Sequence, residues 1–107
     1  MLIVTTEQVA GYEIEKVLGL VRGNTVQSRN IGSQWFSGLK TIVGGEIKGY
    51  TELLNRVRDE ALARLEAHAK EMGANAILMV RIESAETLPN TIEMLAYGTG
   101  VVLKEKS

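Results

Sequence analysis

The sequence contains no cysteine among its 107 residues. A chain without cysteine forms no disulfide, no thiolate metal site and no cysteine nucleophile. This absence fits a reducing cytoplasm, which is where we expect the protein to act. Aromatic residues are also scarce, at 5% of the chain, so aliphatic side chains have to fill the core.

The sequence also lacks a charge excess and a long apolar run. Lysine and arginine (12) nearly balance aspartate and glutamate (13), whereas a nucleic-acid-binding domain usually carries a basic stripe. No run approaches the roughly 18 apolar residues of a membrane span, and residues 1–7 lack the basic start of a signal peptide. We therefore expect neither nucleic-acid nor membrane partners.

The length favours a single domain over residues 1–107. Runs of β-branched and alternating residues predict strands at residues 2–4, 76–83 and 91–103. Residues 12–26 predict one long curved strand or two short ones, because glycines inside a strand often mark a bulge. These strands and the helices below define an α+β fold.

Apolar residues three to four positions apart predict a short helix over residues 31–43, ended by Gly44 and Gly45, and a long helix from residue 51 to 72. Thr51 is the expected N-cap of the long helix, and Gly73 is the expected left-handed C′ residue. The predicted core-facing side of the long helix, flanked by Leu53 and Ala69, comprises Tyr50, Leu54, Val57, Ala61, Leu65, His68 and Met72.

The last predicted strand is apolar on both faces. One face carries Ile92, Met94, Ala96 and Val102, and the other carries Leu95, Tyr97, Val101 and Leu103. One long and one short helix cover only one face of a small sheet, so we expect the other face to be buried between subunits. A monomer with tolerated surface hydrophobic residues is the alternative.

His68 is the only histidine and the default candidate for acid–base or metal chemistry near pH 7. Its place on the apolar helix face favours a packed residue, in the core or at a subunit contact. As a metal ligand it would share a site with Glu71 or Met72, or with His68 of another subunit across a symmetry axis. Zinc sites usually need three or four protein ligands, which favours the shared version.

The glycine-rich stretch before the long helix predicts an anion- or ligand-binding site at Gly44, Gly45, Gly49 and Thr51, because free N–H groups at a helix start bind anions. Helix termination and a tight turn explain the same glycines. No serine lies in a nucleophile-elbow pattern, and no catalytic residues are predicted. An enzyme site between subunits, near Gly44, Gly45 and Tyr97, is the least favoured hypothesis.

The chain resembles the YbjQ-like family of small prokaryotic proteins, for which heavy-metal binding has been proposed. The resemblance rests on Ile3-Val4-Thr5-Thr6, Ile42-Val43-Gly44-Gly45, Tyr50-Thr51-Glu52-Leu53, Met72-Gly73-Ala74-Asn75-Ala76 and Tyr97-Gly98-Thr99-Gly100-Val101. It implies a two-layer β-α-β-β subunit, similar to a dodecin subunit, assembled into a pentameric ring that sometimes pairs into a decamer. Some members have a cysteine where this chain has Ala96, so thiolate binding of a soft metal is excluded here.

Together these observations favour a non-catalytic, ring-forming module whose ligand site lies at subunit interfaces. A metal-binding protein with a divalent ion held between subunits is the alternative.

Overall fold

The computed structural model describes residues 1–28, 43–86, 88 and 91–107. In chain order its elements are β1 (Leu2–Ile3), β2 (Tyr12–Ser28), α1 (Val43–Glu71), β3 (Ala76–Ala85) and β4 (Thr91–Glu105). The predicted α+β class is confirmed. The short helix predicted over residues 31–43 lies outside the described residues, apart from Val43, which begins α1.

The strands form one four-stranded mixed sheet in the order β1-β3-β4-β2. β1 runs parallel to β3, whereas β4 pairs antiparallel with both β3 and β2. The elements β2, α1, β3 and β4 follow the β-α-β-β order that the resemblance implies, and β1 adds a fourth strand beside β3. β2 is an edge strand, so one of its sides has no strand partner among the described residues.

α1 packs on one face of this sheet, which we call the inner face; the opposite face is the outer face. At the centre of the contact Val57, Ala61 and Leu65 are buried against strand residues such as Val21 and Met94. The predicted helix face is therefore confirmed at its centre. Leu53 and Ala69, predicted as flanking positions, are buried, whereas Tyr50, Leu54 and Met72 are only partly buried.

The predicted start of the long helix is wrong. α1 begins at Val43, so Gly44 and Gly45 lie in its first turn and Thr51 lies inside it rather than at its N-cap. Glycine propensity argued against helix here, at about 1 kcal/mol per residue relative to alanine. Propagation of a helix that tertiary contacts already hold is cooperative, and the partly buried Tyr50 and buried Leu53 anchor this end.

The end of α1 matches the prediction. The helix ends at Glu71, and Gly73 adopts a φ of 88°, the left-handed conformation that glycine tolerates best. Asn75 then leads the chain back into the sheet. Its side-chain amide donates to the Leu103 carbonyl at 2.9 Å, and its side-chain oxygen accepts from the Leu103 N–H at 2.8 Å. The Asn75 side chain thus extends the β4 ladder as a backbone would.

Replacing Asn75 with alanine is expected to lower the free energy of unfolding by about 2 kcal/mol, because two hydrogen bonds of about 1 kcal/mol each are lost. Urea unfolding at fixed protein concentration measures the change. Asn75→Asp keeps the acceptor but sets a carboxylate oxygen against the Leu103 carbonyl oxygen, so a loss at least as large is expected. Equal stability of Asn75→Ala and the wild type would contradict this account.

β2 is a single strand of 17 residues, which resolves the choice between one long strand and two short ones. Its pairing with β4 shifts register between Ile14 and Lys16 and again between Val17 and Gly19. Gly19 has a φ of 114°, so this glycine does mark an irregularity. Gly23 has a different role, because a Cβ there would collide with the backbone of Leu65 and Ala61 in α1.

Candidate ligand groove and edge clamp

The outer face exposes large apolar side chains along β2. Val17 is 62% exposed, Leu20 64% and Val26 61%, and Ile14 is exposed as well. Val17 lies opposite Val101 in the β4 register. Val101 belongs to a small buried cluster on the outer face, with Ala76 and Leu78, that Val4 and Val9 of the N-terminal segment help to cover. Among the residues that the structure describes, this cover does not extend along β2.

A groove of about 290 Å³ lies on the same face, between side chains of β2, β3 and β4. We call it the outer groove, and it is lined by Leu20, Arg22, Glu83, Leu95 and Tyr97. Arg22 and Tyr97 are directly opposed across β2 and β4, and Glu83 opposes Leu95 across β3 and β4. The predicted alternation of β4, with Leu95 and Tyr97 away from Met94 and Ala96, is confirmed.

A bulge in β3 helps to place the acidic wall of the groove. The β3–β4 register shifts between Leu78 and Arg81, and Met79 within it adopts a φ of 54°. After the shift, Arg81 opposes Tyr97. The Arg81 guanidinium donates to the carbonyls of Thr5 at 3.1 Å and Val80 at 2.9 Å.

Tyr97 and Glu83 form the polar pair of the groove. The Tyr97 hydroxyl donates to Glu83 Oε1 at 2.8 Å. This hydrogen bond is the main reason why the pKa of Tyr97 is raised above its ordinary value; desolvation and the negative charge of Glu83 add to it, and nearby Arg81 opposes it. Tyr97 therefore stays a neutral donor well into the alkaline range.

Stability above pH 10 is expected to fall more steeply in the wild type than in Tyr97→Phe. The folded state holds the Tyr97 proton more tightly than the unfolded state, whose phenol has a pKa of about 10. This contribution to stability is complete below that value and is lost as pH rises through the raised folded pKa.

Urea midpoints measured from pH 8 to pH 11.5 test this expectation. Tyr12→Phe, which removes an exposed phenol outside the outer groove, serves as the control and is expected to follow the wild type. Parallel curves for the wild type and Tyr97→Phe would show that the Glu83 contact contributes nothing.

His68 reaches across from α1 to the free edge of β2. Its Nδ1 lies 3.0 Å from the backbone N of Arg22 and 3.2 Å from the carbonyl oxygen of Arg22. One helical turn earlier, Arg64 donates from Nη1 to the carbonyl of Asn24 at 2.7 Å, while its Nη2 pairs with Glu60 at 2.9 Å. His68 and Arg64, which we call the edge clamp, thus bind backbone groups two residues apart on an edge strand.

The edge clamp engages the ring of the only histidine, which is partly buried, and the packed and metal-binding interpretations of His68 both stay predictions. Two tautomers satisfy the geometry. With Nδ1 unprotonated, the ring accepts from the Arg22 N–H; with Nδ1 protonated, it donates to the Arg22 carbonyl and leaves Nε2 free. The second arrangement, a ring N–H donated to a backbone carbonyl, is the one that metal-bound histidines usually adopt.

The predicted anion-site residues do not form a loop. Gly44 and Gly45 lie in the first turn of α1, where backbone N–H groups lack helical partners, whereas Gly49 and Thr51 lie beyond it. They therefore do not converge through free amides in the way that a glycine-rich loop would. Anion binding at these residues stays a prediction.

Metal donors do not form a cluster in the part of the chain that the structure describes. Within residues 1–28, 43–86, 88 and 91–107, no group of three or more histidine, cysteine, aspartate or glutamate side chains is placed to hold an ion. The described residues of one chain therefore do not fit a complete metal centre, and His68 lacks the companions that zinc requires.

Comparison with known proteins places this geometry in a family. A family model described as "Putative heavy-metal-binding" matches residues 1–104. The chain belongs to this family, YbjQ. A UPF0145 protein from Dehalococcoides mccartyi is 49% identical over 97% of this chain and 100% of its own length. Another UPF0145 protein, from Clostridioides difficile, is 48% identical over 98% of this chain and 94% of its own.

The fold is also found in a solved structure. A protein of unknown function from Pediococcus pentosaceus superposes with a TM-score of 0.63 at 18% identity, covering 97% of this chain and 98% of that one. At this identity the likeness concerns the fold alone. Membership in the YbjQ family confirms the resemblance drawn from the sequence motifs.

Two of these motifs have structural explanations in this YbjQ protein. A Cβ added to Gly98 would lie only 2.9 Å from Ile77 Cγ2, and a Cβ added to Gly100 would lie 3.0 Å from Val21 Cγ1. Both glycines therefore leave room for core side chains on the inner face. The Gly73–Asn75 motif returns the chain from α1 to the sheet, as described above.

Sequence reasoning missed most of the outer groove. Tyr97 was singled out, but Leu20, Arg22 and Glu83 were not, because their proximity depends on strand order and on the register shifts in β2 and β3. The alternation of Leu20, Arg22, Asn24 and Val26 around buried Val21 and Gly23 was the available signal.

Among the described residues, no helix combines the length and the apolarity that crossing a bilayer requires.

Proposed function

We propose that this YbjQ protein is a cytoplasmic, non-catalytic, homo-oligomeric binding module whose ligand site lies between subunits. The exposed apolar outer face of β2 is the observation that carries the proposal. Val17, Leu20 and Val26 are all more than 60% exposed on one strand, and an apolar surface of this kind typically marks an interface.

The shape of the subunit supports assembly. Its Cα radius of gyration is 17.4 Å, whereas a compact chain of this length has about 13 Å. An elongated chain leaves more surface in water per residue, and contact with neighbouring copies would remove it.

The edge clamp favours the outer face over the free edge as the contact. An unprotected edge strand invites pairing with another chain, and proteins protect such edges with charged side chains. His68 and Arg64 already occupy backbone groups of Arg22 and Asn24, so a strand from another copy would have to displace them. Packing of outer faces requires no such displacement.

The family resemblance sets the expected stoichiometry, a pentameric ring or a pair of rings. Native mass spectrometry of untagged protein tests it. We expect a mass of five or ten times 11.7 kDa, with a small ligand retained. A mass of one chain at micromolar concentration would contradict the assembly and the interfacial site together.

Metal binding between subunits is the second candidate, which the family description suggests. The position of His68 Nδ1 beside the Arg22 carbonyl favours it, because that tautomer leaves Nε2 able to bind a divalent ion. One His68 from each of several subunits would then supply the ligands that one chain lacks.

Titration with nickel or zinc separates this candidate from the first. We expect binding at less than one ion per chain in the wild type and none in His68→Ala, with the oligomer mass measured on the same samples. Equal uptake by both proteins would rule out His68 as the ligand.

A further inference from the structure

The outer groove has a rigid floor. Two contacts hold β2 against α1 at Arg22. The N–H of Arg22 donates a hydrogen bond to His68, and the neighbouring Gly23 packs directly against the helix backbone. Both attachments act on the inner face or the edge, so they fix the strand without filling the groove. A site built on a fixed strand binds a ligand with little ordering cost.

The groove has an apolar body and one cation without a partner. Leu20, Leu95 and the Tyr97 ring supply the apolar surface. The Arg22 guanidinium makes no hydrogen bond or ion pair with any residue that the structure describes, whereas Arg81 is held by two backbone carbonyls. Arg22 is thus the positively charged side chain of the groove that is available to bind a ligand.

The acidic side of the groove is already engaged. Glu83 accepts the Tyr97 hydroxyl at 2.8 Å, and Arg81 lies near the same pair. One oxygen of this carboxylate is thus engaged and Arg81 offsets part of its negative charge, which weakens its attraction for a cationic ligand. An anionic group would instead be drawn to Arg22, where a guanidinium binds a carboxylate through two parallel hydrogen bonds.

We propose that the outer groove binds a small, flat, apolar molecule that carries one carboxylate, with the carboxylate on Arg22 and the apolar body against Leu20, Leu95 and the Tyr97 ring. Its volume of about 290 Å³ is near the lower limit of ligand pockets, about 300 Å³, which restricts the ligand to one or two fused rings. The proposal rests on the proposed function, since a second copy packed on the outer face would close the groove over its ligand.

Calorimetric titration with 2-naphthoate and with its neutral analogue 2-naphthalenemethanol tests this proposal. We expect 2-naphthoate to bind about tenfold or more tightly than the alcohol, the effect of one charge-assisted hydrogen-bonded pair. Arg22→Gln should weaken 2-naphthoate by about the same factor and leave the alcohol unchanged. Leu95→Ser should weaken both compounds.

Lys16→Gln is the matched control, because it removes a cation from the same strand outside the outer groove, and it should bind like the wild type. Equal binding of acid and alcohol, no effect of Arg22→Gln, or no heat with either compound at millimolar concentration would each overturn the proposal. Light scattering on the same samples keeps the two proposals apart. An oligomer that binds neither compound refutes the ligand alone, whereas a monomer that shows the predicted pattern refutes the assembly alone.

Discussion

Gly23→Ala is expected to lower the free energy of unfolding by about 3 kcal/mol or more, at the upper end of the usual cost of overpacking. The added methyl group would collide with the backbone nitrogen of Leu65 and the carbonyl of Ala61, and neither atom can move without the helix. A flexible side chain could rotate away, but α1 would have to lift from the sheet. The edge clamp would then lose its reach to Arg22 and Asn24.

Urea unfolding followed by far-ultraviolet circular dichroism measures this loss, at one protein concentration because the proposed assembly would contribute to stability. Asn24→Ala, at the next position of β2 with its side chain exposed on the outer face, is the control and should stay within about 0.5 kcal/mol of the wild type. If Gly23→Ala were as stable as Asn24→Ala, the close approach of α1 to β2 would be wrong.

Periodicity predicted the elements whose signals are local. The long helix was recognised because Val57, Ala61 and Leu65 recur at helical spacing and Gly73 ends the helix in a left-handed conformation. Its first turns were missed, because Gly44 and Gly45 are poor helix formers and only tertiary contacts outweigh that preference.

The candidate site depends on contacts that local patterns do not contain. His68 and Arg22 are 46 residues apart, and their hydrogen bond requires α1 to cross β2 at Gly23. The glycine was visible in the sequence and suggested a bulge. Its actual role, close approach of a helix, follows only from which face of β2 the helix covers.

The second large effect concerns assembly. Val17→Glu is expected to convert the oligomer to single chains or to raise its dissociation constant at least about a hundredfold, because a carboxylate buried at an interface without a partner costs several kcal/mol. In the isolated subunit Val17 is 62% exposed, so the same charge should leave the fold of one chain intact. Light scattering reports the mass, and circular dichroism reports the fold.

Leu88→Glu is the matched control, since Leu88 is also 62% exposed but lies beside Thr91 at the start of β4, ten residues from Val101, the β4 partner of Val17. It removes a similar apolar surface and adds the same charge, so only its position differs. Dissociation by both variants would mean that net charge, rather than the outer face, controls assembly. Retention of the wild-type mass by Val17→Glu would remove this face from the interface. Dissociation by Val17→Glu alone would show that the apolar surface left uncovered by α1 is the surface that another copy covers.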